Sequence, residues 1–260
     1  MTYKILFLDI DGTILKPDHT YTDSTKVAIQ EAKSNGIEVF IATGRPIIEI
    51  RELAEELQVE SLIGYNGAYA IYQNEAIIDE PIGAGQIQEF IDIAKENDHE
   101  LVLYSKEKNY FTDMDRPIVK NFSETFLLRK NALFQDSVAE RIIGGTALNL
   151  NESEAQLYEI NPNIRMSQVN VDGATHAYDI IRRNVNKGEA VKKILDRLGI
   201  AREQAIAFGD GMNDVEMLQS VGEGFAMGNS HPDLFSYAKH RTTSVSESGI
   251  HNGLKKLGVL

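Results

Sequence analysis

The stretch ILFLDIDGTIL, residues 5–15, constrains this chain more than any other. Four apolar residues, Ile5 to Leu8, run without alternation, the pattern of a strand buried on both faces. Such strands are built into parallel sheets covered by helices, so the run points to an α/β fold. It ends in Asp9 and Asp11, with Ile10 between them. On an extended backbone, residues two apart point to the same side. Gly12-Thr13 then breaks the strand. Two carboxylates converge at the carboxyl end of a core strand, where a buried charge needs a partner. A strand-end turn capped by an aspartate is the other reading of this stretch.

The strand–helix rhythm continues. TDSTKVAIQEAKSNG predicts a helix that Thr22 or Ser24 can cap and Gly36 can end. IEVFIA (37–42) is the next strand and runs into TGRP, where Pro46 suits a first helical turn. Ile50, Leu53, Ala54 and Leu57 then recur at helical spacing. SLIGYNGAYAIY predicts a strand containing a turn, and AIYQNEAII a hairpin. Near residue 82 the rhythm changes to strands with helical pieces between them, among them NYFTD, RIIGGTALNLN, IRMSQVNV and HAYDII. That is an α+β pattern. The first rhythm returns with NKGEAVKKILDRLG, AIAF, GDGMND and GFAMGNS. The expected architecture is a Rossmann-like parallel-sheet core from residues 1–82 and 185–260, interrupted by an α+β domain over 83–184.

The bulk numbers narrow the function. With 260 residues the chain can bury a proper core, and 42% hydrophobic and 25% charged residues are ordinary for a globular protein. No apolar run approaches the length needed to span a bilayer, and the N-terminus lacks a signal-peptide pattern. There are no cysteines, which suits a cytoplasmic protein. A net charge of −13 argues against nucleic acid as a partner. A small anionic substrate remains open, provided local cations or backbone N–H groups receive it.

Ligands of open α/β sheets bind beyond the carboxyl ends of the strands. Four such places carry capable residues: Asp9 and Asp11; Thr43-Gly44-Arg45; Lys187 in NVNKG; and Asp210, Asn213 and Asp214 in GDGMND. Asp9, Asp11, Asp210 and Asp214 are too many negative charges for one site without a cation, and hard oxygen ligands suit Mg²⁺. The lack of cysteines and of a histidine pair leaves a zinc site poorly supported. A threonine hydroxyl and a fixed lysine charge suit a phosphoryl group in transfer. A carboxylate can be the nucleophile, and a second acid can protonate the leaving oxygen and then deprotonate water.

FLDIDGTIL, IATGRP, NKG and GDGMND resemble, in order, the four motifs of the haloacid dehalogenase-like superfamily of phosphatases. TGRP, YNGA, GDGMNDVEML and AMGNS resemble its Cof-type branch, and the insertion matches that branch's large α/β (C2B-type) cap. The resemblance implies an Mg²⁺-dependent phosphatase acting on small phosphomonoesters, either sugar phosphates or phosphorylated cofactors such as flavin or pyridoxal phosphates. It implies that Asp9 attacks phosphorus and that Asp11 is the acid and then the base. Thr43 would bind phosphoryl oxygens and Lys187 would neutralise charge. The metal would be held by Asp9, Asp11 (through its carbonyl) and Asp210, with Asp214 holding the metal's waters or the lysine. Gly44, Arg45, Asn66 and Asn213 are candidate phosphate or substrate contacts. Each has an ordinary reading too: Arg45 exposed at a helix start, Asn66-Gly67 as a hairpin turn, Asn213 as a helix cap. Asn229 either supports the site or stops a strand. The implied cap would close over small substrates, the compartment expected from the lack of cysteines is the cytoplasm, and the expected assembly is a monomer or homodimer. A phosphosugar mutase shares these motifs, and a phospho-accepting signalling or binding protein is the remaining alternative.

Overall fold

The computed structural model describes residues 2–169, 171 and 173–260. The chain forms two compact units, one from the N-terminal segment up to Arg45 with 50–78 and 186–260, the other from 46–49 and 79–185.

The first unit is built on an eight-stranded sheet. In chain order its first elements are β1 (Ile5–Leu8), α1 (Asp23–Ser34), β2 (Glu38–Ala42), α2 (Ile47–Glu56), β3 (Ser61–Gly64), β4 (Tyr69–Tyr72) and β5 (Glu75–Asp79). In the second unit follow α3 (Ala84–Glu96), β6 (Glu100–Tyr104), β7 (Asn109–Phe111), α4 (Pro117–Thr125), β8 (Asn131–Leu133), β9 (Gly144–Leu148), α5 (Glu152–Ala155), β10 (Ile164–Gln168) and β11 (Ala177–Arg182). The first unit then resumes with α6 (Lys187–Leu198), β12 (Ala205–Gly209), α7 (Val215–Ser220), β13 (Glu223–Ala226), β14 (His240–Arg241) and α8 (Gly249–Lys256).

The strand order is β14-β13-β12-β1-β2-β3-β4-β5. Pairing is parallel from β14 to β3 and turns antiparallel between β3 and β4. All four residues of β1 are fully buried, as the unbroken apolar run requires. Ile5 and Phe7 pack into a core with Val191, Ile194 and Leu195 of α6 and Met217 and Leu218 of α7. Helix α1 starts on Thr22, whose hydroxyl accepts the N–H of Thr25, so the sequence's first candidate cap is the one used.

The second unit carries a six-stranded sheet, β10-β11-β9-β6-β7-β8, antiparallel except between β7 and β8. One core holds Ile87, Phe90 and Ile91 of α3 with Leu101, Leu103, Ala147 and Tyr178 from alternate sheet positions. A smaller one joins Val119 and Phe122 of α4 to Val102, Phe111 and Leu148. The strand expected at 164–171 ends at Gln168, and its Asn170 lies outside the described residues. Several cations of this unit serve the fold: Arg116 pairs with Asp98 and Glu100, and the Arg182 guanidinium donates to the carbonyls of Glu80 and Ile143. No helix among the described residues is long and apolar enough to cross a membrane.

Candidate active site

β1 is the switch point of the first sheet: β2 and β3 are laid down on one side of it, and β12, β13 and β14 on the other. Chains leaving the carboxyl ends of strands diverge at such a point and leave a crevice. Asp9 follows β1, and its N–H keeps the ladder by donating to the Phe208 carbonyl at 3.0 Å. β12 runs beside it and ends at Gly209, which delivers Asp210 one step beyond.

Lys187 enters from the start of α6, whose cap Asn186 accepts the Glu189 N–H at 2.9 Å. Its side chain is 0% exposed, and Nζ donates to Asp9 Oδ1 at 2.5 Å and to Asp214 Oδ1 at 2.6 Å. Burial works against the ammonium's charge, but the carboxylates of Asp214 and Asp9 outweigh it and raise the lysine pKa. The other oxygen of Asp214 accepts the N–H groups of Asp210 and Gly211, each at 3.0 Å. Asp214 thus fixes both the lysine and the loop after β12.

Asp210 is aimed by two further groups. The Thr13 hydroxyl donates to its Oδ1 at 3.2 Å, and Asn229 Nδ2 lies 3.4 Å from its Oδ2. The same amide nitrogen donates to the Gly12 carbonyl at 2.8 Å, and Asn229 Oδ1 accepts the Val245 N–H at 2.8 Å. Asn229 therefore ties together three loops, which favours site support over a mere strand stop. Gly12 has φ +83°, and a Cβ there would overlap the Asp210 carboxylate, so the close approach of these loops needs glycine.

Oxygens of Asp9, Asp210 and Asp214 lie within 4.8 Å of one another. Three carboxylates and one ammonium leave two negative charges in a largely buried space. Proton affinity registers the imbalance. Burial first, and then the charge of Asp214, hold the Asp9 carboxyl well above the usual range despite Lys187. Burial and Asp214 likewise push Asp210 up to about 7. A divalent cation is the group that matches a two-charge excess on hard oxygen donors, so these residues fit one.

The loop after β2 forms the other side of the arrangement. Thr43 is buried, its N–H donates to the Ile63 carbonyl at 2.9 Å, and its hydroxyl accepts the Arg45 N–H at 3.1 Å. Its carbonyl accepts the N–H of Asn66 at 3.1 Å. Tyr65, Asn66 and Gly67 are all left-handed, with φ of 54°, 53° and 101°, a run of backbone strain of the kind that collects at functional sites. Gly67 lies so close to the Asn186 carbonyl that a Cβ would collide with it, which seats this loop against the start of α6. Asn213 Nδ2 stands 3.4 Å from Asn66 Oδ1, and a Cβ on Gly44 would lie 3.0 Å from that same oxygen. Gly44, Asn66 and Asn213 are therefore neighbours. Asn213 reaches Asn66 rather than capping α7, which has no side-chain cap bond. Arg45 forms a two-bond fork on the Asp11 carboxylate.

Sequence spacing had no means of singling out Thr13. In the sequence it stands only as part of the strand break and of the FLDIDGTIL motif, with no role of its own. The contact it makes joins residues 197 apart.

Residues 6–254 match the haloacid dehalogenase-like hydrolase family. The protein YkrA of Bacillus subtilis (strain 168), named a putative phosphatase, is 32% identical over the full length of both chains. From the same organism, 5-amino-6-(5-phospho-D-ribitylamino)uracil phosphatase YitU is 27% identical, with 97% of this chain and 96% of that one covered. The solved structure of the HAD subclass IIB sugar phosphatase BT4131 superposes with a TM-score of 0.83 at 25% identity, covering 99% of this chain and 100% of that one. The family match, the shared fold and the acidic crevice at the switch point agree: the chain belongs to the haloacid dehalogenase-like hydrolases and is a phosphoric monoester hydrolase.

Proposed function

We propose that this enzyme hydrolyses small, polyhydroxylated phosphomonoesters in the presence of Mg²⁺, through a phosphoryl group carried on Asp9. The observation that carries the reading is the buried lysine bridging Asp9 and Asp214, with Asp210 beside them. Asp9 stands at the end of β1 in a setting where added positive charge is what frees its carboxylate to attack.

Asp9 attacks phosphorus, an oxygen–phosphorus bond forms, and the ester bond to the leaving oxygen breaks. Asp11, two residues on and exposed, gives the leaving oxygen its proton. It then takes a proton from the water that attacks the phosphoaspartate, which frees phosphate and restores Asp9. Lys187 favours the ionised form of Asp9 and offsets the charge of the phosphoryl oxygens. Among the described residues no group accepts the Thr43 hydroxyl proton, and the hydroxyl suits a phosphoryl oxygen. Gly44, Asn66 and Asn213 supply small size and amide groups beside it. Asp9, Asp210 and the Asp11 carbonyl would hold Mg²⁺, with Asp214 behind them on Lys187. Bound there, Mg²⁺ supplies positive charge against the transferring phosphoryl group.

The substrate class rests on the relatives. A sugar phosphate and a phosphoribityl compound are both phosphate monoesters of a polyhydroxylated chain, and enzymes named for such compounds resemble this chain along its whole length. The test is phosphate release from a panel of sugar phosphates, phosphorylated polyols, flavin mononucleotide and pyridoxal phosphate, with Mg²⁺ and with chelator. The expected result is release from several polyol and sugar phosphates that stops with chelator. Release unaffected by chelator would overturn the metal dependence. Activity confined to compounds without a hydroxylated chain would overturn the substrate class.

A further inference from the structure

Arg45 has a partner that residue spacing does not announce. Its Nε donates to Asp11 Oδ2 at 2.8 Å and its Nη2 to Asp11 Oδ1, so both carboxylate oxygens are held in one fork. The two side chains are 37% and 53% exposed. An exposed pair of this kind contributes too little to be a device for stability. What a bidentate guanidinium supplies is a defined carboxylate plane.

Both ends of the fork are anchored. The Arg45 N–H donates to the Thr43 hydroxyl oxygen at 3.1 Å, and its carbonyl accepts the Tyr65 N–H at 3.2 Å. On the other side, the N–H groups of Thr13, Ile14 and Leu15 all converge on the Ile10 carbonyl, and the Gly12 N–H donates to the Leu15 carbonyl at 2.8 Å. Two loops held by backbone hydrogen bonds, one after β1 and one after β2, meet through the Asp11 carboxylate. A side chain this exposed would otherwise sample several rotamers.

We propose that Arg45 is a positioning residue for Asp11: it sets where the acid–base carboxyl stands, and it does not bind the substrate phosphate. This rests on the assignment of Asp11 as the group that protonates the leaving oxygen. In that step the Asp9–phosphorus bond forms and the phosphorus–ester oxygen bond breaks. Asp11 acts as the acid with its proton on one carboxyl oxygen while the other still accepts from Arg45; the electron pair left on the departing oxygen takes that proton, and the carboxylate left behind is the form the two-bond fork holds. A sugar alkoxide needs that proton, whereas 4-nitrophenolate departs readily without it. Loss of Arg45 is therefore felt according to the leaving group, while loss of a phosphate-binding residue is felt equally by every phosphomonoester.

The test compares kcat/KM for 4-nitrophenyl phosphate with kcat/KM for the sugar phosphate hydrolysed fastest by the wild type. This quantity covers the steps up to release of the leaving group. Asp11→Asn is expected to lower the sugar phosphate value about a hundredfold more than the aryl value, the scale of a lost general acid. Arg45→Ala is expected to follow the same pattern more weakly, with the sugar phosphate down about 10- to 100-fold and the aryl phosphate down about threefold or less. Arg45→Lys keeps the charge but not the fork and should fall between Arg45→Ala and the wild type. Thermal unfolding of each variant establishes that it is folded. An equal loss on both substrates for Arg45→Ala makes Arg45 a substrate contact and overturns the proposal, and so does no loss on either. If Asp11→Asn itself shows no dependence on the leaving group, the assignment of Asp11 fails and the proposal falls with it.

Discussion

Replacing Asp9 with asparagine is expected to lower phosphate release by about 10⁴-fold or more, the scale seen when a covalent nucleophile is removed. The fold should survive the change. The amide has the carboxylate's shape, its oxygen can still accept from Lys187, and the exchange removes one of three crowded negative charges. Burial and the charge of Asp214 already hold the Asp9 carboxyl above its usual range, so in chelator the wild type carries a repulsion that the variant lacks. The thermal midpoint of Asp9→Asn in chelator is therefore expected to equal or exceed that of the wild type. Steady-state release with a sensitive phosphate assay, paired with thermal unfolding, checks both halves. Residual activity within tenfold of wild type would remove Asp9 as the nucleophile.

Lys187→Met tests the other pole of the same buried cluster. The methionine keeps most of the side-chain volume, so what is lost is the ammonium and its two hydrogen bonds, at 2.5 Å to Asp9 and 2.6 Å to Asp214. Removing one partner of a buried ion pair costs about 3–5 kcal/mol, because the remaining charges have no water to turn to. For a chain of this size that corresponds to a midpoint lowered by about 6–20 °C, and activity should be lost with it. The pH dependence has a definite sign. Asp9 has a raised pKa in the folded protein, and raised further without the lysine it binds a proton more readily in the folded variant than in the unfolded one. The stability this contributes is present at low pH and lost as pH rises, so the deficit of Lys187→Met against wild type should shrink on acidification. Unfolding curves from pH 5 to 8 in chelator measure it. A variant as stable as wild type at pH 8 would show that the lysine does not balance the carboxylates.

Much of this arrangement is legible in the chain's local patterns. A strand buried on both faces is written as an unbroken apolar run, and Ile5–Leu8 and Ala205–Gly209 are such runs. Residues that follow these strands must emerge at one edge of a parallel sheet, which is why Asp9, Thr43 and Asp210 group together from sequence. Lys187 can be placed because Asn186 and the apolar stripe behind it mark a helix start. Other features leave no such trace. β8 and β14, at three and two residues, are too short to carry a period. The link from Asn229 to Gly12 spans 217 residues, and the fork from Arg45 to Asp11 depends on two loops meeting in space. Tyr65 in a left-handed conformation runs against its own preference and is held by the Arg45 carbonyl. Such contacts are properties of the folded surface, and no local pattern records them.

The central claim is the covalent phosphoryl group on Asp9, and mass spectrometry during turnover tests it most directly. Asp11→Asn, which retains the nucleophile and loses the base that frees it, is mixed with 4-nitrophenyl phosphate and Mg²⁺, quenched in acid and digested. The account predicts one added phosphoryl group on the peptide containing Asp9, absent from Asp9→Asn treated in the same way. A phosphoryl group on another residue would contradict it, and so would an unmodified chain after 4-nitrophenol has been released.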